Sequence, residues 1–363
     1  MLLYKVGWAA QKELLIPTDY FPRTKISIII PARNEQDNIL CCLDSIINQN
    51  YPEHLFEVIV VDDHSDDQTP DLVKGYKQKQ VTYISLQEHL VNMNSKSFKK
   101  AAITTGINYC IGELIITTDA DCIAPKDWLR NIAAIYEQKR PTMIIAPVIY
   151  TCNNSILEIF QLLDFMSMQG ITAAANSNKM GNMCNGANLA FTKLSFQIVD
   201  GYKGVDHLAT GDDYLLMTKL VQLPDINIVY LKSANAIIKT SPQSTWHSFL
   251  QQRIRWSSKS GKYKDSKLTS ILILVYLFNF SFLIAIIACK FNSVYFWLLL
   301  SMFILKVAIE YLFLIPVAKF FGQMRVLWYF PLLQPLHILY IISAGFLGFI
   351  GKYEWKGRMI VGE

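Results

Sequence analysis

Five short clusters in this 363-residue chain bring together side chains that can do chemistry. Asp119-Ala120-Asp121 follows an apolar run that reads as a strand, and alternate residues of an extended chain share a face, so both carboxylates point to one side of the strand's end. Carboxylate pairs of this kind bind hard cations such as Mg²⁺ or Mn²⁺, and the cation in turn binds phosphate oxygens. An acidic turn after a strand is also a common structural device, so the spacing alone leaves both readings open. Asp62-Asp63 ends another apolar run, where an Asx-type turn is the structural alternative. Gly211-Asp212-Asp213 opens a helical segment at 214–220, where aspartate also caps helix N-termini. Gln252-Arg253-Ile254-Arg255-Trp256 precedes the first long apolar block, and by itself reads as a juxtamembrane anchor of arginines and an interfacial tryptophan. Cys184-Asn185-Gly186-Ala187-Asn188 reads alone as an Asn/Gly turn.

These clusters need rigid elements to place them. Residues 26–30 are β-branched and apolar and are bounded by Pro31, as expected of a buried parallel strand. Residues 38–48 have helical spacing at Ile39, Leu43, Ile46 and Ile47, and 57–61 form a second strand that stops at Asp62. Strand, helix, strand in that order is a βαβ unit, so an α/β, doubly wound sheet is expected, with ligands beyond the carboxyl ends of its strands. Residues 31–34 and 62–66 lie at such ends. A helix at 99–109 leads to a strand at 113–118 that runs into Asp119. Further helices are expected at 128–138, 156–168 and 214–220, and a strand at 143–145.

The chain is 52% hydrophobic and 17% charged, more apolar than a soluble enzyme of this length. The excess lies beyond Lys267. Residues 268–289 are uncharged and long enough to cross about 30 Å of hydrocarbon. Residues 295–318 are interrupted by Lys306 and Glu310, four apart on one helical side, which read as a mutually neutralising pair or, alternatively, as a contact for a polar substrate group. Residues 328–350 carry Pro331 and Pro335 near their start. Arg253, Arg255, Lys259, Lys262, Lys264 and Lys267 precede the first block, which by the positive-inside rule places the preceding region in the cytoplasm of a multi-pass protein of the cell (inner) membrane. Three full crossings would put Lys352, Lys356 and Arg358 outside, against that rule, so one block is expected to be re-entrant or interfacial. No nucleic-acid partner is expected, because no recognition motif accompanies the basic cluster. Seven cysteines without CxxC pairs fit a reducing compartment. Residues 2–4 are too short an apolar stretch for a signal peptide or a span, so the chain either lacks an N-terminal anchor or starts late. The expected organisation is an N-terminal lead (1–24), an α/β domain (25–266), a membrane region of two to three helices (267–351) and a basic tail (352–363).

In order along the chain, Ile30-Pro31-Ala32-Arg33-Asn34-Glu35 with Val60-Val61-Asp62-Asp63-His64-Ser65, then Asp119-Ala120-Asp121, Gly211-Asp212-Asp213 and Gln252-Arg253-Ile254-Arg255-Trp256 resemble a membrane-associated family 2 glycosyltransferase, of the group that contains cellulose, chitin and hyaluronan synthases and ceramide glucosyltransferase. The likeness covers roughly residues 25–256 and extends loosely to Trp355-Lys356-Gly357-Arg358. It implies a GT-A fold with a Rossmann-like mixed sheet, followed by transmembrane or interfacial helices. It implies that Pro31, Ala32, Asn34, Glu35, Asp62 and Asp63 bind the donor, a nucleotide sugar of the UDP type, and that Asp119 and Asp121 bind it through a divalent metal. Lys99 matches a donor-side lysine, although Phe98 stands where the family has glycine and Lys100 follows. Asp213 takes the role of catalytic base and Asp212 stands for the family's glutamate. Gln252, Arg253, Arg255, Trp256, Asn185 and Gly186 are assigned to the diphosphate and the acceptor. The implied reaction is inverting transfer to a lipid or lipid-linked acceptor at the membrane. A processive polysaccharide synthase subunit is the first alternative, and a non-catalytic sugar-nucleotide-binding subunit or a transporter subunit are remoter ones.

Overall fold

The computed structural model describes residues 1–89, 97–180, 183–208, 211–258, 265–350, 352–355 and 358–361. Lys259, Lys262 and Lys264 of the basic stretch, and Lys356 and Gly357 of the tail, lie outside them. The elements run α1 (Leu2–Ala10), β1 (Ile26–Ala32), α2 (Ile39–Ile47), β2 (Phe56–Asp62), α3 (Thr69–Gly75), β3 (Val81–Ser85), α4 (Leu86–His89), α5 (Phe98–Tyr109) and β4 (Leu114–Thr117). There follow α6 (Trp128–Lys139), β5 (Met143–Ile145), β6 (Val148–Tyr150), α7 (Ile156–Asn178), β7 (Leu189–Thr192), α8 (Lys193–Ile198), α9 (Asp212–Leu220), β8 (Ile228–Tyr230), β9 (Ile238–Thr240) and α10 (Trp246–Ser257). The chain closes with α11 (Ser266–Ala288), α12 (Val294–Phe320), α13 (Phe330–Ile350), β10 (Lys352–Trp355) and β11 (Arg358–Val361).

Two compact units divide these elements, each assembled from separated stretches of chain. The first comprises Gln11–Ile149 and Met183–Ser241 and contains a seven-stranded sheet of order β3-β2-β1-β4-β7-β5-β8. Strands β3, β2, β1 and β4 are parallel, whereas β7 runs antiparallel to β4 and β5, so the sheet is mixed. Ile28, Ile30, Val58 and Val60 are wholly buried at its centre, each burial contributing about 1.5–3 kcal/mol. β1 continues through Pro31 to Ala32, beyond the end that Pro31 sets in the sequence reading. The β4 side of β1 is paired only as far as Ile29, so the N–H that Pro31 lacks would have had no ladder partner.

α9 begins at Asp212, two residues before the expected start. Gly211 occupies the N-cap position with φ +84°, a left-handed conformation that suits glycine, and it offers no capping side chain. The capping alternative for Asp212 and Asp213 is therefore not realised. Both lie in the first helical turn, where the helix dipole favours carboxylates.

The second unit comprises Met1–Ala10, Tyr150–Asn182 and Pro242–Glu363. α7 runs on to Asn178, well past the amphipathic stretch that signals it. α1 lies against it so closely that a Cβ on Gly7 would stand 2.5 Å from the Ala174 carbonyl oxygen, and Trp8 meets Phe320 of α12 at 5.4 Å. α11, α12 and the segment 324–350 are each long and apolar enough to cross a membrane. Lys306 and Glu310 pair at 2.5 Å, and Gln334 donates to the other Glu310 oxygen at 3.1 Å, so the neutralising arrangement is the one adopted.

α13 does not run alongside the α11–α12 hairpin. Its start meets α12 at Tyr311, with rings 5.9 Å apart, and Tyr311 lies roughly 25 Å from the hairpin turn at about 1.5 Å per residue. Later, Gly345 abuts the ring of Tyr276, roughly 18 Å from the same turn along α11. Over some 22 Å of its own length α13 thus changes height by less than about 10 Å, and it ends with Gly348 against Ser257 of α10. It lies crosswise.

Candidate active site

In the α/β unit the loops after β1 and β2 form one surface, tied by Asn34 N–H to Ser65 Oγ (2.9 Å), Asp66 N–H to Asn34 Oδ1 (2.9 Å) and Glu35 N–H to Thr69 Oγ1 (2.8 Å). Asn34 and His64 both adopt φ +53°, a conformation that costs a non-glycine residue energy and collects at functional sites. Ala32 pairs with Asp62 at the carboxyl end of the parallel strands. Asp62 is buried; its Oδ2 faces Ser65 N–H at 3.3 Å, while Oδ1 has no hydrogen-bond partner among the described residues. A buried carboxylate oxygen without a donor is costly, and a ligand N–H or O–H in that place would relieve it. Asp63 is held by His64 Nδ1 at 2.9 Å, and Arg33 Nη1 donates to its carbonyl oxygen at 2.9 Å.

The acidic clusters after β4 and at the start of α9 converge on one lysine. Lys99 Nζ lies 2.7 Å from Asp119 Oδ1 and 3.5 Å from Asp212 Oδ2. Burial by itself lowers the pKa of Lys99, but the Asp119, Asp212 and Asp213 carboxylates outweigh it and hold the ammonium above its usual value. Lys100 plays no part there: its Nζ donates to the carbonyls of Val205 and Leu208. Asp213 Oδ2 accepts from Gly186 N–H at 3.2 Å and Oδ1 from Tyr214 N–H at 2.7 Å. A Cβ at Gly186 would stand 3.1 Å from Asp212 Oδ2, so the glycine lets the backbone approach both aspartates. Asn185 does make the turn expected of it, its Oδ1 accepting from Ala187 N–H at 3.0 Å.

Asp121 Oδ2 accepts from Thr240 Oγ1 at 3.0 Å, a partner from β9 that no spacing in the sequence announces. Its pKa is pushed up to about 6 by burial first, then by the Asp119 and Glu35 carboxylates. Half-buried carboxylates that repel one another are what a divalent cation relieves, and the oxygen donors suit Mg²⁺ or Mn²⁺. Among the described residues no group of three or more His, Cys, Asp or Glu side chains could hold a metal. Asp119 and Asp121 are the residues that could hold such a cation, together with phosphate oxygens and water.

In the second unit, α10 carries the Gln-Arg-Ile-Arg-Trp cluster, opened by a Thr245–Ser248 capping box. Gln252, Arg255 and Trp256 are half-buried. Arg253 departs from the expectation that it faces diphosphate or acceptor. It is 2% exposed, with Nη2 2.7 Å from Asp164 Oδ2 on α7 and its guanidinium 4.1 Å from the Trp256 ring and 4.8 Å from the Phe249 ring. Burial tends to neutralise Asp164, yet the Arg253 guanidinium prevails and lowers its pKa below the ordinary value. Sequence reasoning missed Asp164, although a lone acid within the apolar stretch 159–166 of α7 was a signal.

Two family models match the chain, "Glycosyl transferase family 2" over residues 27–191 and "Glycosyl transferase family group 2" over residues 114–342. Among curated proteins it is 34% identical over 111 residues to the glycosyltransferase AglE of Haloferax volcanii, covering 30% of this chain and 35% of that one. It is 31% identical over 113 residues to a dolichyl N-acetyl-α-D-glucosaminyl phosphate 3-β-D-2,3-diacetamido-2,3-dideoxy-β-D-glucuronosyltransferase of Methanococcus voltae, covering 31% of this chain and 34% of the relative. These alignments span about a third of each relative's length. A mannosyltransferase of Pyrobaculum calidifontis, solved in complex with GDP-Man and Mn²⁺, superposes with a TM-score of 0.59 at 18% identity, covering 96% of this chain and 93% of its own, a likeness of fold. The fold is the GT-A glycosyltransferase fold followed by three apolar helices, and the second family model covers more than half the sequence. The chain belongs to the family 2 glycosyltransferases.

Proposed function

We propose that the protein is an inverting glycosyltransferase that moves a sugar from a UDP-type nucleotide sugar to a lipid or lipid-linked acceptor at the cytoplasmic face of the cell membrane. The observation that carries this reading is the meeting of Asp119, Lys99, Asp212, Asp213 and Gly186 around one ammonium group. It gives a place for a diphosphate beside a carboxylate able to take a proton. Asp62, Asp63 and the loop Pro31, Ala32, Asn34 and Glu35 receive the nucleoside, with the open oxygen of Asp62 accepting from the base or ribose. A divalent cation held by Asp119 and Asp121 would offset the negative charge on the leaving diphosphate. Lys99 is placed to do so as well.

The acceptor hydroxyl oxygen forms a bond to the anomeric carbon as the bond from that carbon to the diphosphate oxygen breaks, which inverts the configuration. The hydroxyl proton passes to Asp213. Each Asp213 oxygen already accepts one backbone N–H, which fixes the carboxylate's orientation and leaves lone pairs open for the acceptor. Gln252, Arg255 and Trp256 are read as the groups facing the diphosphate and acceptor. A dolichyl phosphate-linked acceptor in the name of one relative supports the lipid reading. The crosswise lie of α13 supports two membrane crossings, α11 and α12, with α13 in the interface.

The test is nucleoside diphosphate release by purified, detergent-solubilised protein across a panel of nucleotide sugars with Mn²⁺ or Mg²⁺ and membrane lipid extract. Metal-dependent release from one donor, lost in Asp121→Ala, is the expected result. Release from no donor refutes the reading.

A further inference from the structure

The Arg253 guanidinium is the centre of a buried cluster within the second unit that the proposed reaction leaves unused. One edge faces Asp164 at 2.7 Å, Nη1 donates to Gln252 Oε1 at 3.1 Å, and the plane lies between the rings of Phe249 and Trp256. Gln252 Oε1 also accepts from Tyr150 OH at 3.3 Å, so the cluster holds the amide by its oxygen, and the NH₂ group is the donor suited to phosphate or hydroxyl oxygen. Phe165, the neighbour of Asp164 on α7, meets the Trp256 ring at 6.2 Å and stacks on Tyr150 at 4.3 Å. His337 of α13 approaches the other Asp164 oxygen at 3.6 Å.

A buried guanidinium settles where its carboxylate is, because an uncompensated charge there is costly. Its plane then sets the ring it stacks on and the amide it binds. We propose that Asp164 is a positioning residue for transfer: acting through Arg253, it fixes the orientation of Gln252 and Trp256, the side chains read above as facing diphosphate and acceptor. Asp164 touches no substrate in this account. The inference rests on the proposed glycosyl transfer for its kinetic readout, but its geometry can be tested without it.

The experiment uses the full chain in detergent with four variants: Asp164→Asn, Gln252→Ala, the two combined, and Asp164→Leu with Arg253→Met. The last replaces a buried ion pair by apolar groups of similar size, a change folds commonly tolerate. Asp164→Asn is expected to lower kcat for transfer at least tenfold with donor KM changed less than threefold. Once it is present, Gln252→Ala should cost less than threefold more, although alone it costs tenfold or more. The apolar pair should melt close to wild type while transferring as poorly as Asp164→Asn. Additive losses for Asp164→Asn and Gln252→Ala, or an apolar pair that transfers within threefold of wild type, overturn the proposal. Trp256 emission, taken as the difference from Trp256→Phe, should shift in Asp164→Asn; an unchanged difference spectrum overturns the geometry even for a wild type that transfers nothing, an outcome that refutes the glycosyltransfer reading by itself.

Discussion

Asp213→Asn separates the chemistry of the proposed base from its structural work. Asp213 accepts two backbone N–H groups, Gly186 at 3.2 Å and Tyr214 at 2.7 Å, one on each oxygen. Asparagine keeps one acceptor and turns an NH₂ group toward the other donor, so one hydrogen bond is lost at a net cost of about 1 kcal/mol, up to about 3 if the donor is left unsatisfied. At about 2–4 °C per kcal/mol for a domain of this size, the melting temperature should fall by roughly 2–12 °C. Loss of a general base costs typically 10²–10⁴-fold, equivalent to about 3–5 kcal/mol in the barrier, which exceeds the stability cost and appears only in turnover. The assay is single-turnover sugar transfer at a temperature where the variant is folded, with donor affinity measured separately by displacement of a fluorescent nucleotide. Turnover at least a hundredfold lower with donor affinity within threefold of wild type is expected. Turnover within tenfold of wild type would refute the base assignment, and equal losses in turnover and donor affinity would recast Asp213 as a donor-site residue.

Other measurements reach the remaining parts of the site. Asp62→Ala should weaken nucleoside diphosphate binding at least tenfold, read by calorimetry, since the open Asp62 Oδ1 is where a ligand donor is expected; unchanged affinity would remove the base or ribose from that oxygen. EDTA should suppress transfer more than a hundredfold, with Mn²⁺ or Mg²⁺ restoring it in wild type but not in Asp121→Ala; full activity in chelator would dismiss the Asp119–Asp121 pair as a metal site. Mass analysis of products should give a single sugar addition, and a ladder of additions would favour a processive synthase. If α13 is interfacial, as proposed, a cysteine placed at 351 should be labelled from the same membrane side as one placed at 259, Gly348 lying against Ser257; labelling from opposite sides would make α13 a third span.

Strands β1, β2 and β4 of the α/β unit were legible because their signals are local, whereas β3 and β8, at the two edges of the sheet, were not anticipated. β1, β2 and β4 are short apolar runs that stop at Pro31, at Asp62-Asp63 and just before Asp119-Ala120-Asp121, and the expected limits fall within one or two residues of those observed. The acidic clusters were legible for the same reason: strand ends project alternate side chains together. What brings them into contact was not. Lys99 lies 20 residues from Asp119 and far further from Asp212, and nothing local selects it over Lys100. Thr240 reaches Asp121 across 119 residues, and Asp164 reaches Arg253 through the packing of α7 on α10. Arg253 was assigned to the diphosphate and acceptor through its place in the family motif, which fixes residue type and order but not burial; a guanidinium between two aromatic rings and opposite a carboxylate is stable inside. The direction of α13 also escaped a reading by length and hydropathy, which count residues but carry no angle.

The packing of α1 bears on the order in which the molecule is made. Tyr4 and Trp8 rest on Phe313 and Phe320 of α12, so α1 meets these partners only after about 300 further residues have been added, roughly 15–60 s at 5–20 residues per second. α7 waits too, because Gly170 is shaped to receive Val317 and Phe313. The α/β unit meanwhile has its whole sequence once residue 241 emerges, before α11 and α12 have emerged. The contacts of α1 and α7 with α12 therefore cannot form until α12 has been made, which places them late in synthesis.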